Sequence, residues 1–262
     1  MIHRFIMPDY QTTRALLAAS ALVGTAILLR RMLRKDLRPS LKLTYFDMPG
    51  FGDHVRLTLA VGGIVFEDER IDYAEVARRR ATGELPFGQV PVVSIDGHVY
   101  AQSNALLRYF GRLAGLYPEG VNQLRCDMAV EAWMDVDTKL VPQHYKCALS
   151  RSPNDGKPRV PLSDSQQADV AHELNKDALP TMLVRIGKVL KASNGPWYCG
   201  EVLTIADIKS YVVVTGLSNG SYAGGIDSAV LDGCPELREH AARVGALPAV
   251  RRWVEAHVVD TK

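Results

Sequence analysis

The chain has 262 residues, with 31 Lys plus Arg against 29 Asp plus Glu, and 47% of it is apolar. At about 100–200 residues per domain that is enough for one large or two modest domains with a sizeable core, which excludes a disordered or collagen-like chain. Residues 1–35 hold six basic side chains against Asp9 alone, a net +5, so the remainder carries the difference, −3, and a mildly acidic body argues against a nucleic-acid partner.

Between Arg14 and Arg30 run fifteen uncharged residues, Ala15–Leu29. As a helix they would span roughly 22 Å, against a hydrocarbon core about 30 Å thick. Crossing requires local thinning and snorkelling of Arg14 and Arg30. Ile27, Leu28 and Leu29 run straight into Arg30, which leaves no small-residue site for signal cleavage. The heavier positive flank, Arg30, Arg31, Arg34, Lys35 and Arg38, lies on the C-terminal side, and the positive-inside rule turns the body toward the cytosol. Residues 1–40 are therefore expected to form an uncleaved membrane anchor of the mitochondrial outer membrane or endoplasmic reticulum type. The alternative is a cleaved mitochondrial presequence.

After Pro39 and Ser40, Leu41–Phe46 reads as a strand. A helix follows Asp53, which reads as its cap, and stops at Gly62-Gly63. Val65–Ile71 reads as a second strand and Tyr73–Ala81 as a short polar helix. Val90–Ile95 and His98–Tyr100 flank Asp96-Gly97, a two-residue turn that favours positive φ and marks a hairpin. Ser103–Ala114 completes a β-α-β-α-β-β-α order. From Val121 the periodicity is helical, over Asp127–Leu140, Asp164–Leu190, Ile205–Val214, Pro235–Val244 and Ala249–His257, with a polar loop at Ser150–Pro161. This predicts an α/β domain over 41–118 and an all-helical domain over 121–262.

Gly50-Phe51-Gly52-Asp53-His54-Val55 after a strand, with Asp72 downstream, imitates a dinucleotide-binding fingerprint. The third glycine is Val55 here and no further βαβ unit follows, so the stretch reads as a flexible loop. Cys126, Cys147, Cys199 and Cys234 and the seven histidines lack ligand spacing, and no metal site is expected.

Four pieces in order, Leu43-Thr44-Tyr45-Phe46, Pro86-Phe87-Gly88-Gln89-Val90-Pro91, Ala101-Gln102-Ser103-Asn104-Ala105 and Leu203-Thr204-Ile205-Ala206-Asp207, resemble the cytosolic glutathione transferases. The likeness is to the sigma class, which includes the haematopoietic prostaglandin D synthases, and it runs from Leu41 to about Glu255. It implies a thioredoxin-like domain followed by the family's all-helical domain, glutathione as co-substrate, no metal, and a homodimer. Tyr45 matches the catalytic tyrosine, whose hydroxyl would stabilise a thiolate against its ordinary pKa of about 8.5. Gln89, Val90 and Pro91 match the cis-proline turn that pairs with the cysteinyl backbone, and Gln102-Ser103 the turn that takes the γ-glutamyl carboxylate at a helix start. Ser103 reads equally as a plain N-cap. Asp135 matches the acid that reaches the partner subunit's γ-glutamyl ammonium group.

Thr204-x-x-Asp207 matches the internal capping box. Phe51 stands where the family has an arginine that supports the thiolate. The usual Trp and Lys clamp of the glycyl end is not visible, and Arg80, beside Arg78 and Arg79, is the substitute. Phe46, Met48, Phe51 and Tyr145 are expected to line an apolar second-substrate pocket. The preferred reading is a transferase whose thiolate attacks apolar electrophiles or lipid hydroperoxides. Its rivals are a prostaglandin-type endoperoxide isomerase and a non-catalytic membrane-anchored adaptor.

Overall fold

The computed structural model describes residues 40–145 and 161–257. Its first half runs β1 (Leu41–Tyr45), α1 (Phe51–Val61), β2 (Glu67–Arg70), α2 (Tyr73–Ala81), β3 (Val92–Ile95), β4 (His98–Ala101) and α3 (Ser103–Ala114). The sheet order is β2-β1-β3-β4, with β1 parallel to β2 and the other pairs antiparallel. Because strand side chains alternate between faces, Leu41, Leu43 and Val93 meet Val55 and Leu59 of α1 and Leu106 and Phe110 of α3. Val92 meets Val76 of α2 on the other face. This is the thioredoxin-like arrangement, and with β3 and β4 antiparallel it offers no doubly wound parallel sheet for a dinucleotide.

The second half is helical: α4 (Val121–Tyr145), α5 (Asp164–Glu173), α6 (Leu179–Lys191), α7 (Ile205–Asn219), a 3₁₀ turn Ser228–Leu231, α8 (Pro235–Gly245) and α9 (Pro248–His257). Buried Trp133, Leu179, Ile205, Val213 and Leu237 share its core with Leu57 of α1 and Leu107 of α3, so one apolar cluster joins both halves.

Several expected boundaries move for identifiable reasons. Helix α1 begins at Phe51, and Asp53 is its third residue rather than its cap: the Asp53 carboxylate accepts the N–H of the cap, Gly50, at 3.0 Å. Strand β3 starts at Val92 because Pro91 has no N–H for the ladder. Asp96 and Gly97 take the expected positive φ, 50° and 83°. The helix expected over Asp164–Leu190 is interrupted by a π turn, Leu174–Ala178, in which the Leu179 N–H reaches back to Leu174 C=O. Pro180 cannot donate to the turn before it, so the chain widens there and restarts α6 with the proline in its first turn. The expected anchor over 1–40, apart from Ser40, and nearly all of the loop 150–161 lie outside the described residues. Among those described, no helix is long and apolar enough to cross a membrane.

On the α2 face, Glu69 of β2 accepts from Thr44 at 2.6 Å and from both terminal nitrogens of Arg79 at 2.8 and 3.1 Å, and pairs with Lys42 at 3.3 Å. Bonding to Arg79 is the main cause that holds the Glu69 carboxyl down at about 2. A carboxylate whose native pKa lies below its unfolded value of about 4.3 stabilises the fold above that pH. The stabilisation disappears as pH falls toward 2. Thermal unfolding between pH 5 and 2.5 should therefore show a steeper loss in the wild type than in Glu69→Gln; parallel curves would refute the assignment.

Candidate active site

Tyr45 ends β1 and its side chain is 2% exposed. Its hydroxyl oxygen accepts the N–H of Phe51, the first residue of α1, at 3.2 Å. The phenol thus sits at the positive end of a helix dipole. What allows this approach is the lack of β-carbons on both sides of Phe51. A Cβ on Gly50 would lie 2.7 Å from the Tyr45 hydroxyl, and one on Gly52 would lie 2.3 Å from the ring. Gly50 also holds φ at 150°, a value side chains resist. The glycines that imitate a nucleotide loop are packing requirements of the tyrosine, and the expected flexible loop is an ordered helix start.

Arg56, one turn into α1, is the residue that sequence reasoning missed. It is 1% exposed, pairs with Asp68 at 2.8 Å and Asp53 at 3.1 Å, and donates to Phe46 C=O at 3.2 Å. Its guanidinium carbon lies 5.6 Å from the centroid of the Tyr45 ring. The available signal was an arginine interrupting an apolar helix face, three residues after an acid.

Val90, Met48 and Phe51 pack against the same cluster as Tyr45. The Val90–Pro91 peptide is cis, and the β1/β3 ladder ends at Thr44↔Val92, leaving the Val90 backbone beyond it. Gln89 is half-buried in that turn. Of the three arginines on α2, Arg78 pairs with Glu75 and Glu84, and Arg79 with Glu69 and Glu75. Arg80 instead donates from Nε to Gly88 C=O at 2.7 Å, which fastens it beside the cis turn.

Gln102 caps α3, with φ 76° and ψ 103° and no side-chain cap bond. A non-glycine residue held there costs about 1–3 kcal/mol, which the surrounding structure must offset. Ser103 is therefore the first helical residue and not the cap. It is 8% exposed, at a turn whose free N–H groups point outward from the helix start.

The structure also fixes the surroundings of the other expected site residues. Phe46 follows Tyr45 and is buried with it, Val76 and Leu85, its ring edge-on to Tyr45 at 5.3 Å and 4.5 Å from Tyr73. Met48 accepts a hydrogen bond at sulfur from the Tyr73 hydroxyl at 3.6 Å, and the Phe51 ring stands edge-on to His54. Tyr145 ends α4, and its side chain lies outside the described residues. Asp135 is exposed on α4 and makes no ion pair among the described residues, whereas Asp127 and Glu131 of the same helix both bind Arg108. Among the described residues, no group of His, Cys, Asp and Glu has a metal-binding arrangement.

Thr204 and Asp207 form the expected reciprocal box at the start of α7. The Asp207 carboxylate accepts from Thr204 N–H at 2.7 Å and its hydroxyl at 2.9 Å, from Tyr198 N–H at 3.0 Å, and lies 2.9 Å from His240 Nε2.

Residues 41–112 match the model described as Glutathione S-transferase, N-terminal domain, and residues 160–257 the one described as Glutathione S-transferase, C-terminal domain. Over 222 residues the chain is 31% identical to Glutathione S-transferase 1 of Ascaris suum, covering 82% of this chain and 96% of the relative. Over 220 residues it is 30% identical to Hematopoietic prostaglandin D synthase of Gallus gallus, covering 83% and 96%. The crystal structure of the glutathione S-transferase from Ascaris lumbricoides superposes with a TM-score of 0.69 at 26% identity, covering 84% of this chain and 98% of that one. Matches to both halves in chain order, and relatives covered over nearly their full length, agree with the fold: the chain belongs to the glutathione S-transferase family, whose co-substrate is glutathione.

Proposed function

We propose that this chain is a working glutathione S-transferase in which Tyr45 holds the glutathione sulfur as thiolate. The observation that carries the reading is the Phe51 N–H on the Tyr45 hydroxyl oxygen. A phenol that accepts from a helix N-terminus is a stronger donor through its own proton, and a donor to sulfur favours the charged form. The α1 dipole supplies positive potential where Phe51 brings no side-chain charge, and Arg56, held by Asp53 and Asp68, fastens α1 beside the Tyr45 ring. The thiolate then attacks an electrophilic carbon, forming a C–S bond as the leaving group departs with the bonding pair; a hydroperoxide is the alternative acceptor.

In this reading the Val90 backbone, beside Gln89 and Pro91, pairs with the cysteinyl segment, and Gln102 and Ser103 take the γ-glutamyl carboxylate. Arg80 holds the glycyl carboxylate, supported by its attachment to Gly88. Met48 and Phe51 border the second substrate. Exposed Tyr109 and Leu113 of α3 and Leu124 and Met128 of α4 support a homodimer in which Asp135 serves the neighbouring site. The uncharged run 15–29 between Arg14 and Arg30 supports membrane anchoring, and release of the protein by alkaline carbonate would refute it. The likeness to Hematopoietic prostaglandin D synthase favours a second reading, endoperoxide isomerisation by the same thiolate.

Calorimetric titration of the purified chain with glutathione, together with conjugation of a generic aryl halide, tests the proposal. Binding with turnover is expected, and Arg80→Ala should weaken glutathione binding several-fold by removing a charged hydrogen bond. Binding without turnover on aryl halide, hydroperoxide or endoperoxide would point to an adaptor.

A further inference from the structure

Behind the two helix starts that frame the site lies a buried charge that the transferase chemistry above does not use. Lys209 of α7 is 0% exposed, and its ammonium has three neighbours: Asp137 Oδ2 of α4 at 3.2 Å, Asn104 Oδ1 of α3 at 3.0 Å and the Met134 sulfur of α4 at 3.7 Å. Asp137, also 0% exposed, accepts from the Tyr222 hydroxyl at 2.6 Å. His54 of α1 is fully buried with neither ring nitrogen hydrogen-bonded, and burial first, then the Lys209 charge, pushes it well below the ordinary histidine range. Lys209 therefore stands in contact or close electrostatic range of α1, α3 and α4 together.

Stability alone does not ask for this arrangement. Desolvating an ammonium and a carboxylate costs about as much as their attraction returns, and apolar residues of the same size serve a core equally well. The connection with functional meaning is the one to Asn104. That residue follows Ser103 in the first turn of α3, and its amide nitrogen donates to Glu131 at 3.2 and 3.3 Å. Its side chain is thus clamped between a buried cation and a surface acid.

We propose that Lys209 is a positioning residue for glutathione recognition: through Asn104 it fixes the first turn of α3, where Ser103 meets the γ-glutamyl carboxylate. The inference rests on the transferase reading above. It assigns Lys209 no contact with the ligand, since the side chain is sealed from solvent. It makes the affinity for the γ-glutamyl end depend on a residue of the helical half.

Steady-state conjugation should be compared for the full-length wild type, Asn104→Ala, the charge-removing pair Lys209→Met with Asp137→Asn, and all three changes combined. The pair keeps volume and leaves no buried charge alone. Two thiols serve as probes, glutathione and cysteinylglycine, which lacks the γ-glutamyl unit. KM for glutathione should rise about tenfold in Asn104→Ala and in the pair, the loss of one hydrogen bond to a charged group, with most of the change in KM and not kcat. KM for cysteinylglycine should stay unchanged, and the combined variant should be no worse than either, because both act on one connection. A glutathione KM in Asn104→Ala within twofold of wild type, or a parallel rise for both thiols, would overturn the inference. A wild type that binds no glutathione overturns this inference and the transferase reading together; a wild type that binds, with unchanged variants, overturns this inference alone.

Discussion

Tyr45→Phe should lower turnover of an aryl halide at neutral pH by about 10²-fold, the range seen when one donor to a developing or full anion is removed. Glutathione affinity should change little, because the Val90 backbone, the α3 start and Arg80 lie on other elements. The ring keeps its place between Gly50 and Gly52, so the change removes one oxygen and leaves the Phe51 N–H without its acceptor. The pH–rate profile distinguishes this role from a packing role. With the hydroxyl, the bound thiol should ionise below its ordinary pKa; without it, rate should return as pH rises toward about 8.5, where the thiol ionises unaided. Equal losses at every pH, or a matching loss of affinity, would show that Tyr45 supports the site only through its bulk.

Asp207→Ala should strongly destabilise the helical half. Loss of the capping box alone costs about 1 kcal/mol. Asp207 is 0% exposed and also serves Tyr198 N–H and His240, whose partners would be left unsatisfied in a dry interior. At about 1–3 kcal/mol for each orphaned group, the total reaches about 3–5 kcal/mol. For a domain of this size that lowers Tm by roughly 10 °C. Urea unfolding should give a lower midpoint with an unchanged slope. Asp207→Asn, which keeps an acceptor oxygen, should lose about half as much. A shift for Asp207→Ala below about 1 kcal/mol would mean that the carboxylate is only a surface-type cap.

Local chemistry made much of this legible. Asp96-Gly97 announces its turn because few residues tolerate positive φ, and Thr204 and Asp207 announce a helix start because the box closes within four residues. Tyr45 was legible through its setting in Leu43–Phe46. What stayed hidden depends on partners distant in sequence. Arg56 finds Asp68 twelve residues on, and Lys209 finds Asn104 and Asp137 from two other helices. No periodicity encodes those meetings. The π turn before Pro180 was hidden by an apolar pattern that carries on across the break.

The Phe51 contribution to Tyr45 comes from its backbone, while the residues on either side are closed to any β-carbon. Sequence drift at the mouth of the site is therefore unequal: positions 50 and 52 are locked, and position 51 can exchange its side chain without disturbing the peptide N–H that reaches the tyrosine. On the proposed reading, new electrophile preferences can accumulate at residue 51 while thiol activation is inherited intact.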